Sequence, residues 1–344
     1  GFKRVISTTG FVGGEEVAAF EREYAAFTGV PYCVGVANGT DALELALRAT
    51  GVGPGSEVIL PANTFIATAE AVARAGARPV LVDMDPDSYL IDVEAVLAAV
   101  TPATRAVLPV HLYGQLAPME RLVEGLAGTG VPIVEDGAQC QGATRFGRGA
   151  GSWGIAATSF YPGKNLGAYG DAGAVMSTDE TLATTVRTLA NHGGLTKYAH
   201  DLVGCNSRLD ALQAVVLRAK LTKLAAGNAA RRAAAERYDG LLGGLDVIRP
   251  VTLAGNVHVW HLYVVRVPDR DRVLAQLNAA GIGAGIHYPT PVHLTPAFEH
   301  LGYRRGAFPH AEAAAGRIMS LPVYPQISPD AQEVVVRSLA AALG

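Results

Sequence analysis

The sequence has 344 residues, of which 49% are hydrophobic and 17% are charged, and its formal net charge is −3. This length allows two or three domains with a large buried core, and the apolar composition predicts extensive burial, part of it at a subunit interface. The small net charge gives no basic field of the kind that attracts nucleic acid or anionic membranes. No apolar run reaches the roughly 20 residues that a membrane helix needs, so we expect neither a nucleic-acid partner nor a membrane.

The cysteines are Cys33, Cys140 and Cys205. They are too few and too scattered for a disulfide framework or a zinc site, so we predict no metal and a reducing, cytoplasmic location. No signal-peptide pattern is present. The chain begins at Gly1 rather than at a Met, so we expect that an N-terminal piece has been removed or left out.

Short apolar runs alternate with helical stretches through the first two thirds of the chain. The predicted strands are 33–37, 57–60, 79–82, 106–110, 132–134 and 172–176. The predicted helices between them are 40–49, 64–75, 92–99 and 118–127. Continuous apolar runs are typical of strands buried on both faces. The pattern therefore predicts an α/β fold with a doubly wound, mainly parallel sheet, and ligands beyond the carboxyl ends of its strands.

A long segment with helical periodicity, 209–242, follows and connects two regions with different sequence patterns. The elements predicted after it are a half-exposed strand at 257–265, a helix at 269–280, a glycine-rich turn at 281–285 and closing helices at 310–318 and 329–343. We therefore predict a large domain at 1–240, which includes the long helix, and a smaller α+β domain at 241–344.

An acid at the end of one strand and a lysine on a later turn form the most informative pair in the chain. Asp136 ends the apolar run Val134-Glu135-Asp136, and Lys164 lies in Ser159-Phe160-Tyr161-Pro162-Gly163-Lys164-Asn165. Such an acid can keep a pyridine nitrogen protonated, and such a lysine can form a Schiff base with an aldehyde. The order of this acid and this lysine in the chain suggests pyridoxal 5'-phosphate (PLP) chemistry. Taken alone, the lysine is more often surface charge and the acid a turn cap or a metal ligand.

The motif Asn38-Gly39-Thr40 follows a predicted strand and opens a predicted helix. The backbone N–H groups of Gly39 and Thr40, the Thr40 hydroxyl and the positive helix end can together receive a phosphate. An ordinary strand-to-helix turn with Thr40 as the N-cap is the simpler explanation of this motif alone.

Six motifs in order resemble the DegT/DnrJ/EryC1/StrS family of nucleotide-sugar aminotransferases, which has the aspartate aminotransferase-like fold (PLP fold type I). The resemblance covers nearly the whole chain. The motifs are 35–43, 61–68, 135–139, 159–165, 191–193 and 204–210. One departure is Gly137, where similar sequences often have Ala.

The resemblance implies cofactor contacts for three further side chains. Phe65 stacks on the pyridine ring, which orients it without hydrogen bonds, although a core Phe is the alternative. Gln139 donates to the phenolic oxygen of the ring, and Ser159 binds the phosphate. Asp136 pairs with the ring nitrogen, and Lys164 forms the Schiff base and then moves protons. For that work near neutral pH, the pKa of Lys164 must fall well below its free value of about 10.4.

The resemblance also places Asn206 at the phosphate of a neighbouring subunit, which implies a homodimer with shared active sites. The alternative is that Asn206 caps the long helix near Ser207. Tyr161 and the segment that contains His287, Tyr288 and His293 are implied to contact the substrate. Histidines satisfied by the protein itself are more common than catalytic ones.

Transamination is the reaction that the resemblance favours. Related sugar dehydratases have His at the position of Lys164. We therefore predict transfer of an amino group, from glutamate, to the keto group at carbon 3 or carbon 4 of a nucleotide-linked deoxysugar or pentose. Similar enzymes that act at carbon 4 often have His in place of Tyr161, so the resemblance favours carbon 3.

Two alternatives remain open. Another PLP enzyme of this fold, a lyase or an amino-acid synthase, would need an Arg clamp for a substrate carboxylate, and no distinctive C-terminal Arg motif is present. A non-catalytic PLP-binding regulator would normally carry an added DNA-binding segment, and no such segment is present.

Overall fold

Strands and helices alternate through the first two thirds of the chain, in a computed structural model that describes residues 1–344. The helices are Phe2–Ser7 (α1), Glu15–Thr28 (α2), Gly39–Ala49 (α3), Ile66–Arg74 (α4), Val93–Ala99 (α5), Met119–Gly125 (α6), Glu180–Ala190 (α7), Ala211–Leu241 (α8), Arg270–Ala279 (α9), Pro309–Ala315 (α10) and Pro329–Leu343 (α11). The strands are Tyr32–Val36 (β1), Glu57–Pro61 (β2), Arg78–Val82 (β3), Thr104–Val107 (β4), Val134–Asp136 (β5), Thr144–Arg145 (β6), Arg148–Gly149 (β7), Ile155–Ser159 (β8), Gly173–Ser177 (β9), Asn256–Val257 (β10), Tyr263–Arg266 (β11) and Ile318–Leu321 (β12). None of the helices combines the length and the apolar character needed to cross a membrane.

Seven strands form one sheet in the order β1-β9-β8-β5-β4-β2-β3. Ladders join β1-β9-β8-β5 and β3-β2-β4, and the parallel bridges Val107 to Ile133 and Val110 to Asp136 connect the two groups. Strand β9 is antiparallel to both of its neighbours, β1 and β8. The pairs β5–β8, β2–β3 and β2–β4 are parallel. The predicted doubly wound, mainly parallel sheet is confirmed.

Helices cover both faces of this sheet, which explains why its strands are apolar without alternation. Successive residues of a strand point to opposite faces. Val58 and Leu60 of β2 accordingly pack in a buried cluster with residues of α3, α4 and α7. Ile59, between them, packs in a different cluster with residues of α5 and α6. The sheet therefore lies between two helical layers.

The long helix α8 joins the sheet region to the C-terminal region. Leu217 and Leu221, in its first half, pack in a cluster with residues of α2. Ala235 and Tyr238, in its second half, pack with residues of α9, α11 and the β11–β12 pair. The connecting role predicted for this helix agrees with these contacts, and the domain boundary at 240/241 stays a prediction.

Two sequence predictions of elements were wrong, and one strand of the main sheet was missed. The strand predicted at 257–265 is two separate strands: β10 pairs with β6, β11 pairs with β12, and the chain turns between them at Trp260, whose φ is 48°. The helix predicted at 310–318 ends at Ala315, because Ile318 begins β12. Strand β8 was missed, since its Ile155-Ala156-Ala157-Thr158-Ser159 sequence has few of the bulky residues that mark strands.

Candidate active site

A cavity of about 620 Å³ lies beyond the carboxyl ends of the parallel strands. Asp136 is the last residue of β5 and Ser159 is the last residue of β8. The volume is in the range of small-molecule sites. Ten of the residues predicted for the site line this cavity: Gly39, Thr40, Phe65, Asp136, Gln139, Ser159, Tyr161, Lys164, His287 and Tyr288.

The Asp136 side chain is buried and held by hydrogen bonds from two directions. It is 4% exposed. The backbone N–H of Ala138 donates to Oδ1 over 3.1 Å, and the Thr68 hydroxyl donates to Oδ2 over 2.8 Å. Each carboxylate oxygen has a second lone pair, so the group can still accept a hydrogen bond from a ligand in the cavity.

Lys164 lies on the turn that follows β8, where its backbone N–H donates to the carbonyl of Tyr161 over 2.8 Å. Burial lowers the pKa of Lys164, and the negative charge of Asp136 opposes this effect. The direction agrees with what a lysine that acts as a nucleophile and base requires. Lysine and carboxylate therefore face one cavity, 28 positions apart in the sequence.

The N-terminus of α3 forms another wall of the cavity. Asn38, and not Thr40, is its N-cap, and Asn38 Oδ1 accepts from the N–H of Asp41 over 2.8 Å. The N–H groups of Gly39 and Thr40 belong to the first turn, which has no intrahelical acceptors for them. Ser159 lies directly against Gly39, since a Cβ on Gly39 would be 3.0 Å from Ser159 Oγ. Backbone donors, a hydroxyl and the helix dipole thus meet where an anion would bind.

Phe65 and Gln139 also line the cavity. The Phe65 side chain is 51% exposed, and its ring centroid is 5.2 Å from that of Tyr288. Gln139 Oε1 accepts from the backbone N–H of Tyr113 over 2.6 Å, and its Nε2 donates to the Tyr288 hydroxyl over 3.0 Å. An amide nitrogen has two hydrogens, so Gln139 keeps one for a ligand.

Tyr161, His287 and Tyr288 also line the cavity. Tyr161 is 58% exposed. His287 Nδ1 is 2.8 Å from the Ser320 hydroxyl, and burial, with a contribution from the charge of Lys164, lowers the pKa of His287. Burial and the charge of Asp136 raise the pKa of Tyr288. Both groups are therefore neutral at pH 7 and present hydrogen-bonding atoms without charge.

Two predicted residues lie outside the cavity of their own chain. His293 is 2% exposed, and its Nε2 is 2.9 Å from Glu312 Oε1. His293 therefore has a structural partner and does not line this cavity, so its contact with a substrate stays a prediction. Asn206 is exposed and does not cap the long helix, because α8 begins at Ala211 with Asp210 as its N-cap. The capping alternative for Asn206 was wrong.

His261 also lines the cavity and was missed, because its segment was interpreted as a strand. Its Nδ1 is 3.2 Å from Asn165 Oδ1. Asn165 Nδ2 donates to Asn228 Oδ1 and to the carbonyl of Val259, so both amide hydrogens are used. Asn165 Oδ1 can only accept, and Nδ1 of His261 must carry the proton. Burial, and then the charge of Lys164, lower the pKa of His261 well below its usual value, so its Nε2 is an unprotonated acceptor.

The residues that line the cavity fit the phosphate, the ring and the aldehyde of PLP. The α3 N-terminus with Ser159 suits a phosphate, Phe65 offers an aromatic face, Asp136 suits a ring nitrogen, and Lys164 is the amine for an aldehyde. The Gly39–Ser159 contact supports the phosphate site in particular. Only a glycine at position 39 leaves room for the Ser159 hydroxyl beside the first N–H groups of α3.

Comparisons with known proteins identify the family of this chain. The family model of the DegT/DnrJ/EryC1/StrS aminotransferase family matches residues 2–340. The chain is 47% identical to the erythromycin biosynthesis sensory transduction protein EryC1 of Saccharopolyspora erythraea, over 98% of this chain and 93% of that protein. It is also 47% identical to dTDP-3-amino-3,4,6-trideoxy-alpha-D-glucose transaminase of Streptomyces venezuelae, over 96% of this chain and 88% of that protein.

A solved structure extends the similarity to the fold. The crystal structure of Streptomyces venezuelae DesV in complex with a ketimine intermediate superposes with a TM-score of 0.96 at 44% identity, covering 98% of this chain and 92% of that one. The chain belongs to the DegT/DnrJ/EryC1/StrS aminotransferase family.

Proposed function

We propose that this protein is a PLP-dependent aminotransferase that transfers an amino group from glutamate to a keto group of a nucleotide-linked sugar. The observation that carries the proposal is the position of Lys164 and Asp136 in one cavity that the N-terminus of α3 also lines. Membership of an aminotransferase family and the similarity to a dTDP-amino-sugar transaminase support it.

Bound PLP would supply an aldehyde for imine formation and a ring that withdraws electrons from the reacting carbon. Asp136 would keep the ring nitrogen protonated, Phe65 would support the ring face, and Gln139 would donate its free amide hydrogen to the phenolic oxygen. Gly39, Thr40 and Ser159 would bind the phosphate. Lys164, once released by the amino donor, would move a proton at the substrate carbon, which its lowered pKa favours.

For the sugar we propose the keto group at carbon 3. Tyr161 lines the cavity beside Lys164, where the resemblance leads us to expect His in enzymes that act at carbon 4. The name of the transaminase that is 47% identical also describes a 3-amino sugar. His287 and Tyr288 would contact the sugar nucleotide as neutral hydrogen-bonding groups, in the biosynthesis of an amino sugar for a natural product or glycan.

We also propose that the active unit is a homodimer in which Asn206 reaches the phosphate bound in the other subunit. Asn206 is exposed and lies outside the cavity of its own chain. The segment just before it exposes four large apolar side chains: Leu195 at 55%, Tyr198 at 84%, Leu202 at 46% and Val203 at 88%. Exposed apolar residues close together in one segment are typical of a surface that another chain covers.

The two half-reactions test the proposed activity. Glutamate added to the PLP-loaded protein should bleach the visible Schiff-base absorbance and release 2-oxoglutarate. A 3-keto nucleotide sugar should then restore the absorbance, while the 4-keto isomer should do so more slowly. If glutamate leaves the absorbance unchanged but other amino acids bleach it, glutamate is not the amino donor. If no amino acid bleaches it, the protein is a PLP-binding protein without transaminase activity.

A further inference from the structure

Two threonines connect to Asp136 through a continuous chain of hydrogen bonds. The Thr64 and Thr68 hydroxyls are 2.8 Å apart, and Thr68 Oγ1 is 2.8 Å from Asp136 Oδ2. Thr64 is 2% exposed, Thr68 is 1% exposed and Asp136 is 4% exposed, and all three line the cavity. None of the contacts proposed above for the cofactor or the substrate uses either threonine.

The direction of this chain follows from the number of hydrogens. An ionised carboxylate only accepts, so Thr68 donates to Asp136. A hydroxyl has a single hydrogen, so Thr68 must accept in its contact with Thr64, and Thr64 donates. Both hydroxyl dipoles therefore point toward the negative charge of the carboxylate. Hydrogen bonds donated to a buried charge are stronger than those between neutral groups.

The sequence and the fold place these groups with little freedom. Thr64 immediately precedes the N-cap of α4, and Thr68 lies in the first turn of that helix. Thr64 thus lies beside the first turn of α4, and its hydroxyl contacts that of Thr68. A threonine in a helix commonly bonds to the carbonyl four residues earlier. Thr68 instead donates to the end of β5, at a position 68 residues later in the chain.

We propose that Thr68 is a positioning residue for Asp136, supported by Thr64, and that its hydroxyl fixes the carboxylate in the orientation that keeps a pyridine nitrogen protonated. This inference rests on the proposed function. Ala138 N–H holds Oδ1 and Thr68 holds Oδ2, so the carboxylate cannot rotate about its terminal bond without losing one of these bonds. Without Thr68, the buried Oδ2 would lack a donor, and the carboxylate could turn away from the ring.

The test compares Thr68→Val, which keeps the shape and removes the hydroxyl, with Thr68→Ser, which keeps the hydroxyl. The readout is the ¹⁵N NMR shift of PLP labelled at the ring nitrogen, together with the rate of the glutamate half-reaction. We expect a protonated nitrogen in the wild type and in Thr68→Ser. In Thr68→Val we expect a shift toward the unprotonated nitrogen and a half-reaction slower by about 10- to 100-fold, the range for a lost bond to a charged group. Thr64→Val should change both readouts in the same direction by less.

Asp136→Asn separates a failure of this inference from a failure of the proposed function. If Asp136→Asn keeps the protonated signal and the wild-type rate, the proposed role of Asp136 is wrong. Suppose instead that Asp136→Asn loses the protonated signal and the wild-type rate, while Thr68→Val keeps the signal and the rate. The orientation of Asp136 then does not depend on Thr68, and the inference is overturned. If Thr68→Val does not fold, Thr64→Val and Thr64→Ser decide the question, and identical spectra and rates in these two variants would overturn it.

Discussion

Ser159, at the end of β8, packs directly on Gly39 at the start of α3. A Cβ added to Gly39 would lie 2.5 Å from Ser159 Cβ and 3.0 Å from Ser159 Oγ. The sheet and the helix layer therefore meet at a point where only a hydrogen fits. This contact brings the serine hydroxyl beside the free N–H groups of the helix, and it makes the anion site sensitive to a single methyl group.

Gly39→Ala should weaken PLP binding by at least about tenfold, because Ser159 must move away from the first turn of α3. The added methyl group should also destabilise the fold by about 1–3 kcal/mol, as expected for overpacking. Fluorescence titration with PLP and thermal unfolding measure the two effects. Gly53→Ala is the matched control, since a Cβ there has nothing within 4 Å. Equal PLP affinity in Gly39→Ala and Gly53→Ala would contradict the proposed phosphate site.

Lys164→Ala should lose the visible Schiff-base absorbance and all amino transfer while the fold stays intact. The reason is that Lys164 is the lysine that lines the cavity beside Asp136, with a pKa lowered by burial. Absorbance spectra and mass spectrometry after borohydride reduction give the measurement. Lys223→Ala, which changes an exposed lysine of α8, should behave as the wild type. A reducible PLP adduct on another lysine in Lys164→Ala would show that the assignment is incorrect.

The positions of Lys164 and Asp136 could be predicted because each follows a strand end, and the carboxyl ends of parallel strands meet at one edge of a sheet. The bond between Thr68 and Asp136 could not be predicted, although Thr68 belongs to one of the six motifs. Its partner is 68 positions away, and no local pattern encodes such a contact.

His261 shows a second limit of the sequence. Its neighbourhood alternates polar and apolar residues as a strand does, and the turn at Trp260 depends on contacts that the alternation does not contain. One such contact is the stacking of His258 on Trp260, with ring centroids 3.8 Å apart.

Asn206 shows a third limit of prediction from the sequence. It precedes a long helical pattern closely enough to suggest a cap, but the first turn of α8 starts five residues later at Ala211.

Stability should fall as the pH is lowered from about 6.5 to 5, and His258 should account for a large part of this loss. Burial lowers the pKa of His258 to about 3, and its Nδ1 accepts from the N–H of Trp260 over 2.9 Å. In the unfolded chain the imidazole takes up a proton near pH 6.5, whereas in the folded chain it stays neutral. Stability is therefore complete above pH 6.5 and decreases below it, by about 2 kcal/mol at pH 5 for this one group.

Urea unfolding of the wild type and of His258→Gln at pH 7.5 and pH 5 measures this contribution, at one protein concentration because assembly affects stability. The difference between the two pH values should be smaller by about 2 kcal/mol in the variant. Carboxylates with lowered pKa values, such as Glu16 and Glu120, lose their contribution only below about pH 4.5 and do not interfere. An unchanged pH dependence in His258→Gln would contradict the assignment.

Mixed dimers should reveal whether Asn206 serves the neighbouring subunit. Lys164→Ala homodimers lack the Schiff-base amine, and Asn206→Ala homodimers should bind the phosphate weakly, so neither should be fully active. A mixed dimer would contain one doubly damaged site and one intact site, built from the lysine of the Asn206→Ala chain and the asparagine of the Lys164→Ala chain. Co-expression should therefore raise activity at limiting PLP above the mean of the two parents. If the mixture only averages the parent activities, both residues act on the cofactor of their own chain, and the proposed sharing of sites is wrong.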